Sequence, residues 1–185
     1  NSHPPPTEDF LFVKRIIIFA NGDLPYKEKA RTLLHEDDFI IAADGGIRYV
    51  LALGLVPNII IGDLDSATFD LRHLMEKGTQ VIQFSKDKNE TDLELALQHA
   101  LTFNPEQTII LAALGGRLDH TLANIALISS LQLSTFNMRL DDGIEEVFFC
   151  RDQTQIHGAS GDTISLIPWQ GEVTGIVTTG LKWPL

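Results

Sequence analysis

Short, unbroken apolar runs alternate with segments of helical period, and this alternation limits what the chain can fold into. The runs are Ile16 to Ala20, Phe39 to Ala43, Ile59 to Ile61, Val81 to Phe84 and Thr108 to Ala113. Continuous apolar runs of this length suit strands covered on both faces. Between the last two, Leu93, Ala96, Leu97, Ala100 and Leu101 fall on one helical face, with Thr91 and Asp92 where an N-cap and first turn belong. Leu122, Ile125, Ala126 and Ser129 mark a second such face. Tyr26 to Leu34, Gly46 to Leu53 and Phe69 to Lys77 are shorter helix candidates. Strand and helix in alternation require right-handed crossovers, so the expected class is α/β, a mainly parallel sheet with flanking helices.

The pattern changes near Asn137. Beyond it come β-like runs at Glu146 to Cys150, Thr163 to Pro168 and Glu172 to Thr179, with turn residues from Gly158 to Asp162. The expected organisation is a flexible leader over 1–12, with three consecutive prolines, an α/β domain over 13–136, and a small antiparallel β unit over 137–185. About 45 residues are few for an independent β domain, and the chain stops just after a β-like run, so the expected unit is either completed by another subunit or C-terminally incomplete. Cys150 is the only cysteine among 185 residues. That leaves no disulfide framework and fits a reducing, cytoplasmic compartment. A net charge of -11 argues against a nucleic-acid or anionic-membrane partner. No apolar run approaches the roughly 18 residues of a membrane span.

In an open parallel sheet, ligands collect beyond the carboxyl ends of the strands. Here nearly every expected strand ends in glycine and carboxylate. The sequence reads Asn21-Gly22-Asp23, Asp44-Gly45-Gly46, Gly62-Asp63-Leu64-Asp65-Ser66, Lys86-Asp87-Lys88-Asn89-Glu90-Thr91-Asp92 and Gly115-Gly116-Arg117-Leu118-Asp119-His120. A rim of this kind suits Mg²⁺, which takes oxygen ligands and is usually held by one or two carboxylates plus substrate phosphates. Asp63 and Asp65, two apart, are candidates to approach one ion. Gly45, Gly46, Gly115 and Gly116 would leave backbone N–H groups open to phosphate oxygens. Arg117 could fork onto a phosphate, with Lys86 and Lys88 as point charges. His120 joins the rim in a capping, orienting or catalytic role. Trp183, beside Lys182, is either a flat platform for an aromatic ligand or a core or interface residue. There is no phosphate-binding Gly-x-x-x-x-Gly-Lys-Ser/Thr loop.

These motifs in this order, together with Thr178-Thr179-Gly180-Leu181-Lys182-Trp183, resemble the thiamin pyrophosphokinase family over almost the whole chain after the leader. The resemblance implies an α/β catalytic domain followed by a β-sandwich that binds thiamin. It implies a homodimer with active sites between subunits, and Mg²⁺-dependent transfer of pyrophosphate from ATP to the thiamin hydroxyl, leaving AMP. By position, Asp44, Asp63, Asp65 and Asp92 match the family's metal, phosphate and thiamin-contacting acids. Asp44, Asp63 and Asp65 are the metal candidates, and Asp63, Asp65 and Asp92 the catalytic ones. Arg117 and Asp119 match the nucleotide-side motif. Lys86, Lys88, Thr91, Gly115, Gly116 and His120 join the expected substrate and nucleotide contacts. Trp183 matches a tryptophan beside the thiamin, supplied by the partner subunit. Asp92 or Asp65 is the candidate to orient or deprotonate the alcohol. Rival readings are a pyrophosphokinase for another alcohol, such as a hydroxymethylpterin, a non-catalytic nucleotide-binding module, and a Mg²⁺-dependent phosphohydrolase.

Overall fold

The computed structural model describes residues 13–64, 69–130, 133 and 136–185. It divides into two units, one ending at Arg151 and the other running from Asp152 to Leu185. The expected leader, apart from its boundary with Val13, and Asp65 lie outside the described residues.

In the first unit the apolar runs form the expected strands, β1 (Arg15–Phe19), β2 (Phe39–Ala43), β3 (Ile59–Gly62), β4 (Gln80–Gln83) and β5 (Gln107–Leu111). Two further strands follow, β6 (Met138–Asp141) and β7 (Glu146–Phe148). The seven-stranded sheet has the order β4-β3-β2-β1-β5-β6-β7. Every neighbouring pair is parallel except β6 with β7. The chain order therefore reverses beside β1, between β2 and β5.

Alternation along the strands divides the core between the two faces. Ile16, Ile18, Ile41, Ile61 and Ile110 pack on one side with Leu93, Ala96 and Leu97, which belong to α4 (Asp92–Leu101). Ile17, Phe19, Ile40, Ile60 and Leu111 pack on the other with Ala30, Val50 and Leu74. These come from α1 (Lys27–Arg31), α2 (Ile47–Ala52) and α3 (Leu71–Glu76). Both faces of the sheet are thus covered, which explains the unbroken isoleucine runs. α3 and α4 start at side-chain caps. The Thr91 side chain accepts from Glu94 N at 3.1 Å and the Asp70 side chain from His73 N at 3.1 Å.

Three sequence expectations need correction. First, residues 137–148 do not begin the C-terminal unit. Met138 pairs with Thr108 and Leu140 with Ile110, extending the parallel sheet, and the Glu146 run folds back antiparallel on β6. The division between units therefore falls after Arg151 rather than at 136. Second, in α5 (Leu118–Ser129) the expected inner face is only half realised. Ile128 and Ser129 are buried, but Leu122 and Ala126 are exposed. Third, Asp152–Leu185 contains no helix or strand, and its runs Thr163–Pro168 and Glu172–Thr179 have no ladder partner. A strand needs a neighbour that takes up its backbone N–H and C=O groups in series, and a contact such as Thr178 N donating to Leu185 O at 3.3 Å does not build a ladder. The turn expected at Gly158–Asp162 does form: Asp162 N donates to Ala159 O at 3.1 Å, and Ala159 N to the Asp162 carboxylate at 2.7 Å. Among the described residues, no helix is long and apolar enough to cross a membrane.

Candidate active site

Because β1 to β5 are parallel, the segments after them lie along one edge of the sheet. Close contacts tie these segments into a row. Beside β5, Gly22 N donates to Ala112 O at 2.8 Å, extending the ladder beyond the strands. Gly116 lies against Asp23; a Cβ there would stand 3.3 Å from Asp23 Oδ2. The Gly116 φ of +76° is left-handed, which glycine adopts without penalty. Next along the row, Asn21 Nδ2 donates to Asp44 Oδ2 at 2.9 Å. Gly62 brings β3 close to the same residue, since a Cβ would lie 3.0 Å from Asp44 Cα. Asp63 follows, and its carbonyl accepts from Gln83 Nε2 at 3.0 Å. Phe84 N donates to Gly62 O at 3.1 Å. At the far end Lys88 Nζ donates to Asp92 Oδ1 at 2.7 Å and sits 5.9 Å from the Phe84 ring centroid.

The backbone is strained along this edge. Asp44, Leu64 and Ala112 have φ of +46°, +57° and +56°, and they follow β2, β3 and β5 closely. Left-handed non-glycine residues persist where their surroundings over-determine them, and they collect at functional sites.

At the β5 end, Arg117 precedes α5 and forks onto Asp119, Nε to Oδ1 at 3.1 Å and Nη2 to Oδ2 at 2.5 Å. This hydrogen bond holds the Asp119 carboxyl below the usual range and raises the Arg117 guanidinium. Both side chains are largely exposed, so the pair adds little to stability and its fork is accessible to a ligand. His120 is exposed in the first turn of α5. Asn124 Nδ2 donates to Ala113 O at 2.9 Å, fixing the helix against the end of β5. Thr91 caps α4, and Lys86 and Asp87 belong to the loop that leads to it. In the separate C-terminal unit, Trp183 is exposed and Lys182 Nζ lies 4.6 Å from its ring centroid.

A cleft of about 410 Å³ opens at the point where the strand order reverses. Leu24, Pro25 and Leu114 supply apolar wall, and Asp23, Gly115, Gly116 and Asp142 supply polar wall. Its volume lies within the range of small-molecule sites, roughly 300–1,000 Å³, and the reversal of strand order is where α/β sheets bind ligands.

The described rim acids offer carboxylate oxygens, which suit a hard divalent cation. The donation from Asn21 to Asp44 is the kind of outer contact that orients a ligating carboxylate. The opposite, amino-terminal edge carries a cluster of another kind. Ligand atoms of His35, Asp37 and Asp38 lie within 4.8 Å of one another. Arg15 donates to both Asp38 oxygens, at 2.7 and 3.1 Å, so that carboxylate is already neutralised.

Sequence reasoning missed several contributors. Tyr49 and Asp142 line the cleft, Gln83 holds the Asp63 carbonyl and Arg48 donates to Gly45 O at 3.3 Å, yet none carries a motif of its own. Arg48 lies one helical turn beyond Asp44, a spacing that by itself does not set it apart from a solvated charge.

Comparison with known proteins agrees with this architecture. Residues 30–140 match the family model for the thiamin pyrophosphokinase catalytic domain. Residues 152–185 match the model for the thiamin pyrophosphokinase vitamin B1 binding domain. The chain is 31% identical over 176 residues to a thiamine pyrophosphokinase of Bacillus subtilis, covering 94% of this chain and 82% of that protein. It is 26% identical over 209 residues to thiamine pyrophosphokinase 1 of Oryza sativa, covering 99% and 78%. Among solved structures, thiamine pyrophosphokinase from B. subtilis superposes with a TM-score of 0.57 at 33% identity, over 69% of this chain and 60% of that one. A thiamin pyrophosphokinase family protein from Enterococcus faecalis does so with a TM-score of 0.57 at 30% identity, over 72% and 63%. With both family models and a relative above 30% identity in agreement, the chain belongs to the thiamin pyrophosphokinase family.

Proposed function

We propose that the protein transfers pyrophosphate from ATP to the hydroxyl of thiamin, giving thiamin diphosphate and AMP. The observation that carries this reading is the continuous row of contacts from Asp92 to Asp23, which ends at the cleft beside Gly115 and Gly116. The nucleotide occupies the cleft, and its phosphates run along the strand ends. Backbone N–H groups of the diglycine segment and the Arg117 fork, released from Asp119, bind phosphate oxygens. Lys86 and Lys88 add positive charge at the other end.

In the reaction the alcohol oxygen bonds to the β-phosphorus. The bond from that phosphorus to the oxygen bridging it to the α-phosphorus breaks, and AMP leaves with the electron pair. The hydroxyl proton passes to a rim carboxylate, Asp92 or Asp65, or to solvent. Positioning and charge neutralisation dominate such transfers. Asp44, Asp63 and Asp65 would hold Mg²⁺, which when bound neutralises phosphate charge. Thiamin binding belongs to the unit from Asp152 to Leu185, with Trp183 as the flat contact. The reading includes a homodimer with shared sites and a cytoplasmic location. Exposed Leu118 and Leu122 on α5 provide apolar surface for such pairing.

Incubation of the chain with ATP, Mg²⁺ and thiamin, followed by chromatography, tests the reading. AMP and thiamin diphosphate are expected in equal amounts. ADP as the stoichiometric product would contradict it.

A further inference from the structure

We propose that Asn21 and Arg48 are positioning residues that fix the Asp44 carboxylate and thereby set the affinity of the rim for a divalent cation. The proposal rests on the reading of Asp44 as a cation ligand.

Both ends of the Asn21 side-chain amide are engaged. Its oxygen accepts from Arg48 Nη1, and its nitrogen donates to Asp44 Oδ2 at 2.9 Å. Turning the amide over would set N–H against guanidinium and oxygen against carboxylate, two repulsive contacts, so the orientation is unique. Arg48 is itself clamped. Its Nη2 donates to Asn21 O at 3.1 Å, Gly22 O at 3.0 Å and the Tyr49 hydroxyl at 3.2 Å, and its Nη1 to Gly45 O at 3.3 Å. The guanidinium carbon lies 4.5 Å from the Tyr49 ring centroid. The Tyr49 hydroxyl donates to Gly22 O at 2.7 Å and accepts from Leu24 N at 3.1 Å. The clamp therefore joins the ends of β1 and β2 through one cation.

Three further features single out Asp44 as what this clamp serves. Arg48 directs its described contacts to carbonyls, an amide oxygen and a phenol rather than to the Asp44 carboxylate. The carboxylate thus keeps its charge for another cation. Gly45 makes room for the amide, because a Cβ there would lie 2.3 Å from Asn21 Oδ1 and 2.8 Å from Nδ2. Asp44 also holds a left-handed backbone, which requires such over-determination.

The test is Mn²⁺ titration by electron paramagnetic resonance with a non-hydrolysable ATP analogue present, alongside thermal unfolding. Asn21→Ala, Arg48→Met and Gly45→Ala are each expected to weaken Mn²⁺ binding, for Asn21→Ala by about 10–100-fold. The KM for thiamin should stay within about twofold, since the clamp acts on the cation. Asn21 is an exposed side chain, so Asn21→Ala decides the matter alone if Arg48→Met does not fold. Asp44→Asn is the control. Unchanged Mn²⁺ affinity in Asp44→Asn would remove Asp44 from the cation site, and with it the reading beneath the proposal. Weakened binding in Asp44→Asn with wild-type affinity in Asn21→Ala would overturn the clamp and leave Asp44 as a ligand. A raised KM for ATP in Arg48→Met with unchanged Mn²⁺ affinity would overturn the clamp too, making Arg48 a phosphate contact.

Discussion

Ile109 and Ile110 in β5 are fully buried, whereas Ile167 and Val177 beyond Asp152 are 75% and 81% exposed. All four are β-branched residues in apolar runs, the composition that favours strands. The difference lies in their neighbours. β5 has β1 on one side and β6 on the other, and helices lie on the sheet's faces. The later runs have no ladder among residues 152–185. Apolar sequence proposes a strand, and a partner backbone makes it one. The same contrast separates stability from chemistry within the first unit, where isoleucines hold the strands and polar residues just past them form the rim.

The largest expected effect probes that separation. Asp63→Asn should lower turnover at least about 1,000-fold, roughly 4 kcal/mol of transition-state stabilisation. The thermal midpoint should barely move, because the sheet's apolar core is untouched. Turnover close to wild type would take Asp63 out of the site.

Next comes the core itself. Ile110→Ala should destabilise the protein by about 2–5 kcal/mol, whereas Val177→Ala should change stability by less than about 0.5 kcal/mol. Denaturant titration of both variants measures the contrast, and equal losses would place Val177 in a core of its own. A smaller loss, about 1 kcal/mol, is expected for Thr91→Ala, which removes the α4 cap. The same titration reads it, and Thr91→Ser should restore most of the loss.

The smallest effect concerns His99. Burial lowers its pKa, and its Nε2 has no hydrogen-bond partner among the described residues. The folded state therefore favours the neutral ring. This contribution is present above the usual histidine range and is lost as pH falls through the lowered value. His99→Leu should flatten stability against pH between neutrality and mild acid. An unchanged profile would assign the acid sensitivity to other groups.

The parallel half was legible because its isoleucine runs are long, apolar and punctuated by glycine and aspartate. α4 was legible through both its period and its Thr91 cap. β6 was not, because Met-Arg-Leu-Asp is short and half charged; it becomes a strand only when β5 offers an edge. The α5 stripe misled because Leu122 is apolar yet exposed. In the candidate site, aspartates after strands could be read directly from position. The Asn21–Arg48 clamp could not, since an arginine inside a short helix looks like any solvated charge until the fold brings β1 beside β2. Asp142 was hidden for a similar reason, because the cleft it lines exists only once β6 joins the sheet.

The proposed function requires that carboxylates spread along the chain meet a divalent cation at the carboxyl edge of this sheet. Anomalous diffraction from crystals soaked with Mn²⁺ and a non-hydrolysable ATP analogue tests it most directly. An anomalous peak is expected about 2.0–2.3 Å from carboxylate oxygens of Asp44 and Asp63, with analogue phosphates beside it. A peak at His35, Asp37 and Asp38 on the opposite edge, or none near β2 and β3, would contradict it.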